Sequence, residues 1–152
     1  ILLPANGGGS AKSLQVMDDD VPSATAGDRV GLALRNAKDE HLTGGTIIVH
    51  PAVEDKRTNT SVPLAVEQHV NSSVELKVSP FQKRALAVGD VIHASVDLQF
   101  VVGRVTAGDG SSLKVTWESP LFIRKTNPPQ VLIAQLDSKP RIMGSAKLNK
   151  ED

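Results

Sequence analysis

The chain of 152 residues contains no cysteine. That excludes a disulfide scaffold, thiolate metal sites and a thiol nucleophile. Tyrosine is also absent, tryptophan occurs once, and aromatic residues make up only 3% of the chain. Neither sign of charge is in excess, with 17 Lys and Arg against 17 Asp and Glu. A uniformly basic nucleic-acid glove is therefore excluded, although a local basic patch fits inside a neutral sum. No apolar run approaches the roughly 20 residues of a membrane-spanning helix. The opening Ile1-Leu2-Leu3-Pro4 has neither a methionine nor a basic leader segment. We expect a cut end inside a larger protein, not a native start or a signal peptide.

What is present points to strands. A hydrophobic content of 39% suits a globular chain, and the length fits one domain or two small ones. The apolar period is mostly two. Val30, Leu32 and Leu34 form one row, expected to supply core, and Val74, Leu76 and Val78 form another. Ile92 to Arg104 places Ile92, Ala94, Val96, Leu98, Phe100 and Val102 on one face, and Leu113 to Trp117, Val131 to Ile133 and Ile142 to Leu148 repeat the pattern. Such alternation sets one row toward a core and the other toward solvent. Turn signals fall at Ala26-Gly27-Asp28, Val88-Gly89-Asp90, Gly108-Asp109-Gly110 and Asn127-Pro128-Pro129. Short strands at this spacing predict an all-β chain of barrels or sandwiches. One short helix is expected over Ala37 to Leu42, with Asn36 as its N-cap and Gly44-Gly45 as its stop.

The polar stretch Glu54 to Ser61, between Pro51 and Pro63, reads as a linker between two β modules. The boundaries expected are residues 1–52 for the first module, 53–61 for the linker and 62–152 for the second. The first module is too small to close a barrel alone, so we expect its first strands to lie upstream of Ile1. It is mildly acidic, with the run Asp18-Asp19-Asp20, and the second module is more basic.

Several segments carry a family resemblance. Ala11 to Met17, Ala24-Thr25-Ala26-Gly27-Asp28-Arg29-Val30-Gly31-Leu32-Ala33-Leu34, the short helix and Gly45 to Val49 resemble the second domain of translational GTPases of the elongation factor Tu type. Ser79-Pro80-Phe81-Gln82-Lys83-Arg84, Val91 to Val96, Val102-Gly103-Arg104-Val105 and Ala134 to Arg141 resemble the third domain of archaeal and eukaryotic selenocysteine-specific elongation factors. A related archaeal elongation-factor-Tu-like paralogue would look similar. The resemblance implies two small antiparallel β-barrels, the first incomplete at its N-terminus. It also implies a noncatalytic C-terminal portion of a cytoplasmic GTP-dependent translation factor that holds aminoacyl-tRNA. Its partners would be the tRNA, its own N-terminal GTPase domain and the ribosome, with no membrane. GTP and magnesium would belong to the GTPase domain.

The strings that would do chemistry are missing. No Gly-x-x-x-x-Gly-Lys-[Ser/Thr] loop occurs, and Gly7-Gly8-Gly9-Ser10-Ala11-Lys12 has the wrong spacing and no helical pattern after it. Asn149-Lys150-Glu151-Asp152 spells the guanine-reading Asn-Lys-x-Asp, but it is expected to lie in a polar terminal tail. His41, His50, His69 and His93 lack metal-ligand spacing, and no serine sits in Gly-x-Ser-x-Gly. Neither a catalytic nor a metal site is expected.

Binding to an RNA backbone needs arginine and lysine on a shaped surface. Lys83, Arg84, Arg104, Arg124, Lys125, Lys139 and Arg141 are the candidates, all in the second module. Arg84, Arg104, Lys139 and Arg141 are preferred because they sit within the family-like segments. A plainer role for the same residues is to solvate strand faces. One departure from the family stands out. The strand after the short helix opens with Arg-Gly in the family, and in the selenocysteine branch that arginine is expected to help hold the charged selenol. Here the pair is Gly44-Gly45, and glycine supplies neither charge nor a donor fork. A divergent paralogue, acting as a protein- or RNA-interaction module without tRNA delivery, is the alternative reading.

Overall fold

Thirteen strands and one turn of 3-10 helix account for the regular structure. The computed structural model describes residues 1–152 and divides into two units, Ile1–Ile48 and Val49–Asp152.

In the first unit, β1 (Leu2–Leu3) pairs antiparallel with the last strand of that unit, Ile47–Ile48. Leu2 and Leu3 are buried. β2 (Ser10–Val16) is the centre of a three-stranded antiparallel sheet, flanked by β3 (Asp19–Asp20) and β4 (Val30–Arg35). The strand Ile47–Ile48 is β5. The expected core row on β4 needs correction. Val30 and Leu32 are 42% and 37% exposed, and Leu34 is half-buried. Alternation fixes which residues share a face, but burial requires a second layer over that face. This sheet is open, and no residue of β2, β3 or β4 is fully buried.

The expected helix shrinks to the 3-10 turn Asp39–His41, entered from Lys38 with no side-chain cap. Asn36 is not its cap, because it adopts a left-handed backbone (φ 57°) that turns the chain instead. The anticipated turns are present, with Gly27, Gly89, Gly108 and Gly110 all at positive φ.

In the second unit the polar stretch expected as a linker contains a hairpin of β6 (Val53–Asp55) and β7 (Thr60–Val62). Its tip is ordered locally: the Asp55 carboxylate accepts the Arg57 amide at 2.9 Å, which fixes an Asx-type turn. Six further strands follow: β8 (Val66–Val78), β9 (Val91–Val96), β10 (Gln99–Asp109), β11 (Ser112–Arg124), β12 (Val131–Ala134) and β13 (Ile142–Glu151). They close an antiparallel barrel in the order β10-β11-β8-β13-β12-β9. Its core holds Val74, Leu76, Leu86, Ile92, Val105, Val115, Trp117, Leu121, Ile133 and Met143.

The barrel corrects the phase expected for Ile92 to Arg104. Ile92, Ala94 and Val96 point inward, but Leu98 is 93% exposed and Phe100 57%. Asp97 and Leu98 both take positive φ, making a two-residue hairpin turn that pairs Val96 with Gln99. Cross-strand partners share a face, so the inward set passes from even to odd numbers: Gln99, Val101, Gly103 and Val105 are buried. Gly103 is required here, since a Cβ would lie 2.5 Å from the Trp117 ring.

Two polar groups work inside the barrel. The backbone pairing of β10 with β11 is last registered at Gly103–Trp117. Beyond it, the buried Gln99 side chain donates to the Phe122 carbonyl at 2.8 Å and accepts the Phe122 amide at 2.9 Å. It substitutes for a missing rung of the ladder. Trp117 Nε1 donates to Ser72 Oγ at 2.8 Å, and Ser72 Oγ in turn meets His69 Nδ1 at 2.9 Å.

Candidate nucleic-acid interface

The four preferred cations lie at one end of the barrel. β8 and β12 end there, and β9 and β13 begin there, because Val78 pairs with Gly144 and Ala134 pairs with both Ile142 and His93. Two loops cap this end, residues 79–90 and 135–141. Gln82 ties them together, with Nε2 donating to the Ile142 carbonyl at 2.6 Å and to the Pro140 carbonyl. Arg84 is the second tie. Its Nη2 lies 2.6 Å from Asp90 Oδ1 and its Nη1 donates to Gln135 Oε1 at 3.3 Å. Gln135 is buried, and its backbone N–H donates to the Arg141 carbonyl at 2.8 Å.

Arg104 reaches the same end from the wall. It faces Val91 across the β9–β10 ladder and donates from Nη1 to the Gly89 carbonyl at 3.1 Å. Lys139 and Arg141 are exposed on the 135–141 loop, and Lys83 is exposed on the 79–90 loop. Lys83, Arg84, Arg104, Lys139 and Arg141 thus share this end with three carboxylates: Asp90, Asp137 and Asp109, the last on the β10–β11 turn whose Gly110 amide donates to the Leu86 carbonyl at 3.0 Å. Only Arg84 among the five forms an ion pair. The local excess of positive charge suits a polyanion, and the tied loops hold it on a fixed frame.

Arg124 and Lys125 do not join the group. Arg124 pairs with Val66, at the start of β8 and so at the other end of the barrel. Its guanidinium is held by Asp97 at 2.8 Å. Gly44 belongs to the first unit, exposed, with open space where a Cβ would stand.

Sequence reasoning missed Gln82, Asp90 and Gln135, which position the cations without being charged like them. All three fall inside segments already singled out; the partners of Gln82 and Gln135 are distant along the chain, while Asp90 holds the nearby Arg84 and Ala87. The terminal Asn149-Lys150-Glu151 string, expected in a polar terminal tail, is instead part of β13, paired with Asn71 to Ser73 on β8. A strand inside a barrel wall cannot serve as a guanine-reading loop. The glycine cluster likewise does not fit a nucleotide: Gly7 is bridged to Leu2, and the chain runs from Gly9 into strand β2 with no helix N-terminus to receive phosphate. No three His, Asp or Glu side chains converge on a point. No helix is long and apolar enough to cross a membrane.

Comparison with known proteins supports the architecture. The crystal structure of translation elongation factor SelB from Methanococcus maripaludis, in its apo form, superposes with a TM-score of 0.74 at 19% sequence identity. The match covers 99% of this chain and 34% of that one. An uncharacterised protein of Methanocaldococcus jannaschii is 26% identical over 137 residues, which is 90% of this chain and 40% of the relative. No protein-family model matches. The chain therefore has the fold of part of a SelB-type translation factor and spans well under half the length of both proteins. It carries no catalytic motif and no GTPase fold.

Proposed function

We propose that this chain is the noncatalytic, tRNA-holding part of a GTP-dependent elongation factor, with residues 1–52 and 62–152 corresponding to the two barrel domains that receive an aminoacyl-tRNA. The observation that carries the reading is the basic end of the second barrel. Arg104, on strand β10, and Lys139 and Arg141, on a loop that Gln82 and Arg84 tie to its neighbour, stand there without carboxylate partners. The fold shared with a SelB-type factor supports it further. In this reading the barrel contacts the tRNA backbone, a GTPase domain elsewhere in the parent protein supplies nucleotide chemistry, and the ribosome is the final partner. Selenocysteinyl-tRNA is the cargo suggested by the resemblance to selenocysteine-specific factors.

A second reading is favoured by Gly44, an uncharged position in open space where the family places an arginine. There the chain is a divergent paralogue that keeps the barrels as an interaction module and no longer delivers tRNA.

Retention of aminoacylated and uncharged tRNA by the protein separates the two. Preference for the aminoacylated form supports the first reading. If neither form binds at low salt, or if both bind equally and Gly44→Arg changes nothing, the delivery role is lost and the paralogue reading stands.

A further inference from the structure

This inference deepens the RNA-binding reading, and rests on it, by naming the part of an RNA that the barrel wall would take. The outer face of β10, β9 and β12 forms an ordered grid. Phe100, Ser95 and Leu132 make one row, and Val102, His93 and Ala134 the next. Arg104 and Val91 begin the third. Phe100 and His93 stack, with ring centroids 4.9 Å apart and planes 19° from parallel. His93 Nδ1 is shielded from solvent yet has no hydrogen-bond partner.

Aromatic rings are scarce in this chain, with three phenylalanines and one tryptophan. Trp117 and Phe122 are buried, while Phe100 is 57% and Phe81 76% exposed. Phe81 sits on the 79–90 loop with Lys83 and Arg84, whereas Phe100 lies near the Asp97-Leu98 turn, toward the other end of β10, on the same outer strand face as Arg104. Arg104 lies one row beyond His93, about 7 Å along the strands. Phe100 itself lies two rows from Arg104, about 14 Å along β10, and an exposed π face with a cation on the same strand face is the pairing that holds an unpaired base and the backbone running from it.

A protein partner fits less well. A stable interface takes about 20–30 residues a side. The apolar grid has only six members with His93 included, and is bounded by Thr116 opposite Arg104 and by Ser145 opposite Leu132. Nor would a duplex use it, since paired bases keep their faces inside the stack.

We propose that Phe100, backed by His93, is a stacking platform for one unpaired nucleobase of a bound RNA, with Arg104 holding a phosphate farther along the same strand of RNA.

The test uses the whole chain and two probes, a single-stranded oligoribonucleotide carrying 2-aminopurine and a blunt RNA duplex of equal length. Emission from the sole tryptophan, buried Trp117, reports whether each variant keeps the barrel. Phe100→Leu should weaken single-strand binding roughly 5- to 100-fold and abolish 2-aminopurine quenching, while duplex affinity stays unchanged. Arg104→Gln should weaken both probes. Should Phe100→Leu misfold, His93→Ala is expected to act in the same direction.

Unchanged single-strand affinity and quenching in Phe100→Leu, with duplex binding still lost on removing the arginines, overturn the platform and leave the RNA reading intact. If the wild type binds neither probe, both fall. Self-association abolished by Phe100→Leu, with RNA binding untouched, would make this face a protein interface and also overturn the proposal.

Discussion

Asp90 fixes Arg84. One carboxylate oxygen lies 2.6 Å from the guanidinium, and the other accepts the Ala87 amide at 3.0 Å. The acid therefore closes the 79–90 loop and clamps the arginine that reaches across to Gln135 in the second loop. It also cancels one of the positive charges gathered at this end of the barrel.

Removing that acid should strengthen RNA binding. Asp90→Asn keeps an oxygen for the Ala87 amide but deletes the negative charge. We expect tRNA affinity at low salt to rise a few-fold and the gain to shrink as salt is raised, as screening dictates. A titration at two salt concentrations checks this. Weaker binding would mean that the clamp matters more than the charge.

Gly103→Ala should destabilise the barrel. The added Cβ would stand 2.5 Å from the Trp117 ring and 2.7 Å from the Val115 side chain. Overpacking of this kind costs about 1–3 kcal/mol. Urea unfolding followed by Trp117 emission should show a lower midpoint with an unchanged slope.

Gln99→Leu isolates the substitute rung between β10 and β11. Leucine fills similar volume but leaves the Phe122 amide and carbonyl unpaired in the barrel wall. Each unsatisfied group costs about 1–3 kcal/mol. The loss should appear in denaturant unfolding and in faster exchange of the Phe122 amide.

His69 sets a pH window. Burial holds its pKa below the ordinary 6.5, and Lys150 acts in the same direction, while Glu67 at 3.7 Å opposes them. A depressed folded pKa means that the unfolded chain binds the proton more readily. The stabilisation is therefore complete above 6.5 and declines as pH falls through it toward the lower folded value. The melting temperature should fall on acidification within that window, and His69→Gln should remove this part of the fall. Asp28 and Asp55 do not contribute there. Hydrogen bonds from the Thr25 and Arg57 amides hold their carboxyls below 3.8, so both titrate at more acid pH.

Much of this was legible in the alternation of residues. The strands of the second barrel, its glycine turns and the segments carrying Arg84, Arg104, Lys139 and Arg141 could all be located along the chain. The failures share one cause, which is that period two gives a face but not its environment. Phe100 was assigned inward because nothing in the local pattern counts the residues of the Asp97-Leu98 turn, and that count decides parity. Val30 and Leu32 look like core because they alternate, and only the absence of a layer over their sheet leaves them exposed. Gln82, Gln99 and Gln135 were passed over because an amide signals nothing until its distant partner is known. The Gln82 carbonyl partners lie 58 and 60 residues away.

The salt dependence of tRNA binding tests the central claim most directly. Affinity would be measured from low to moderate ionic strength for the whole chain and for Arg104→Gln combined with Arg141→Gln. Each phosphate contact removed should lower the slope of log affinity against log salt by about one. We predict weaker binding and a slope reduced by about two in the double variant. Affinity and slope identical to wild type would contradict the placement of an RNA backbone on this end of the barrel.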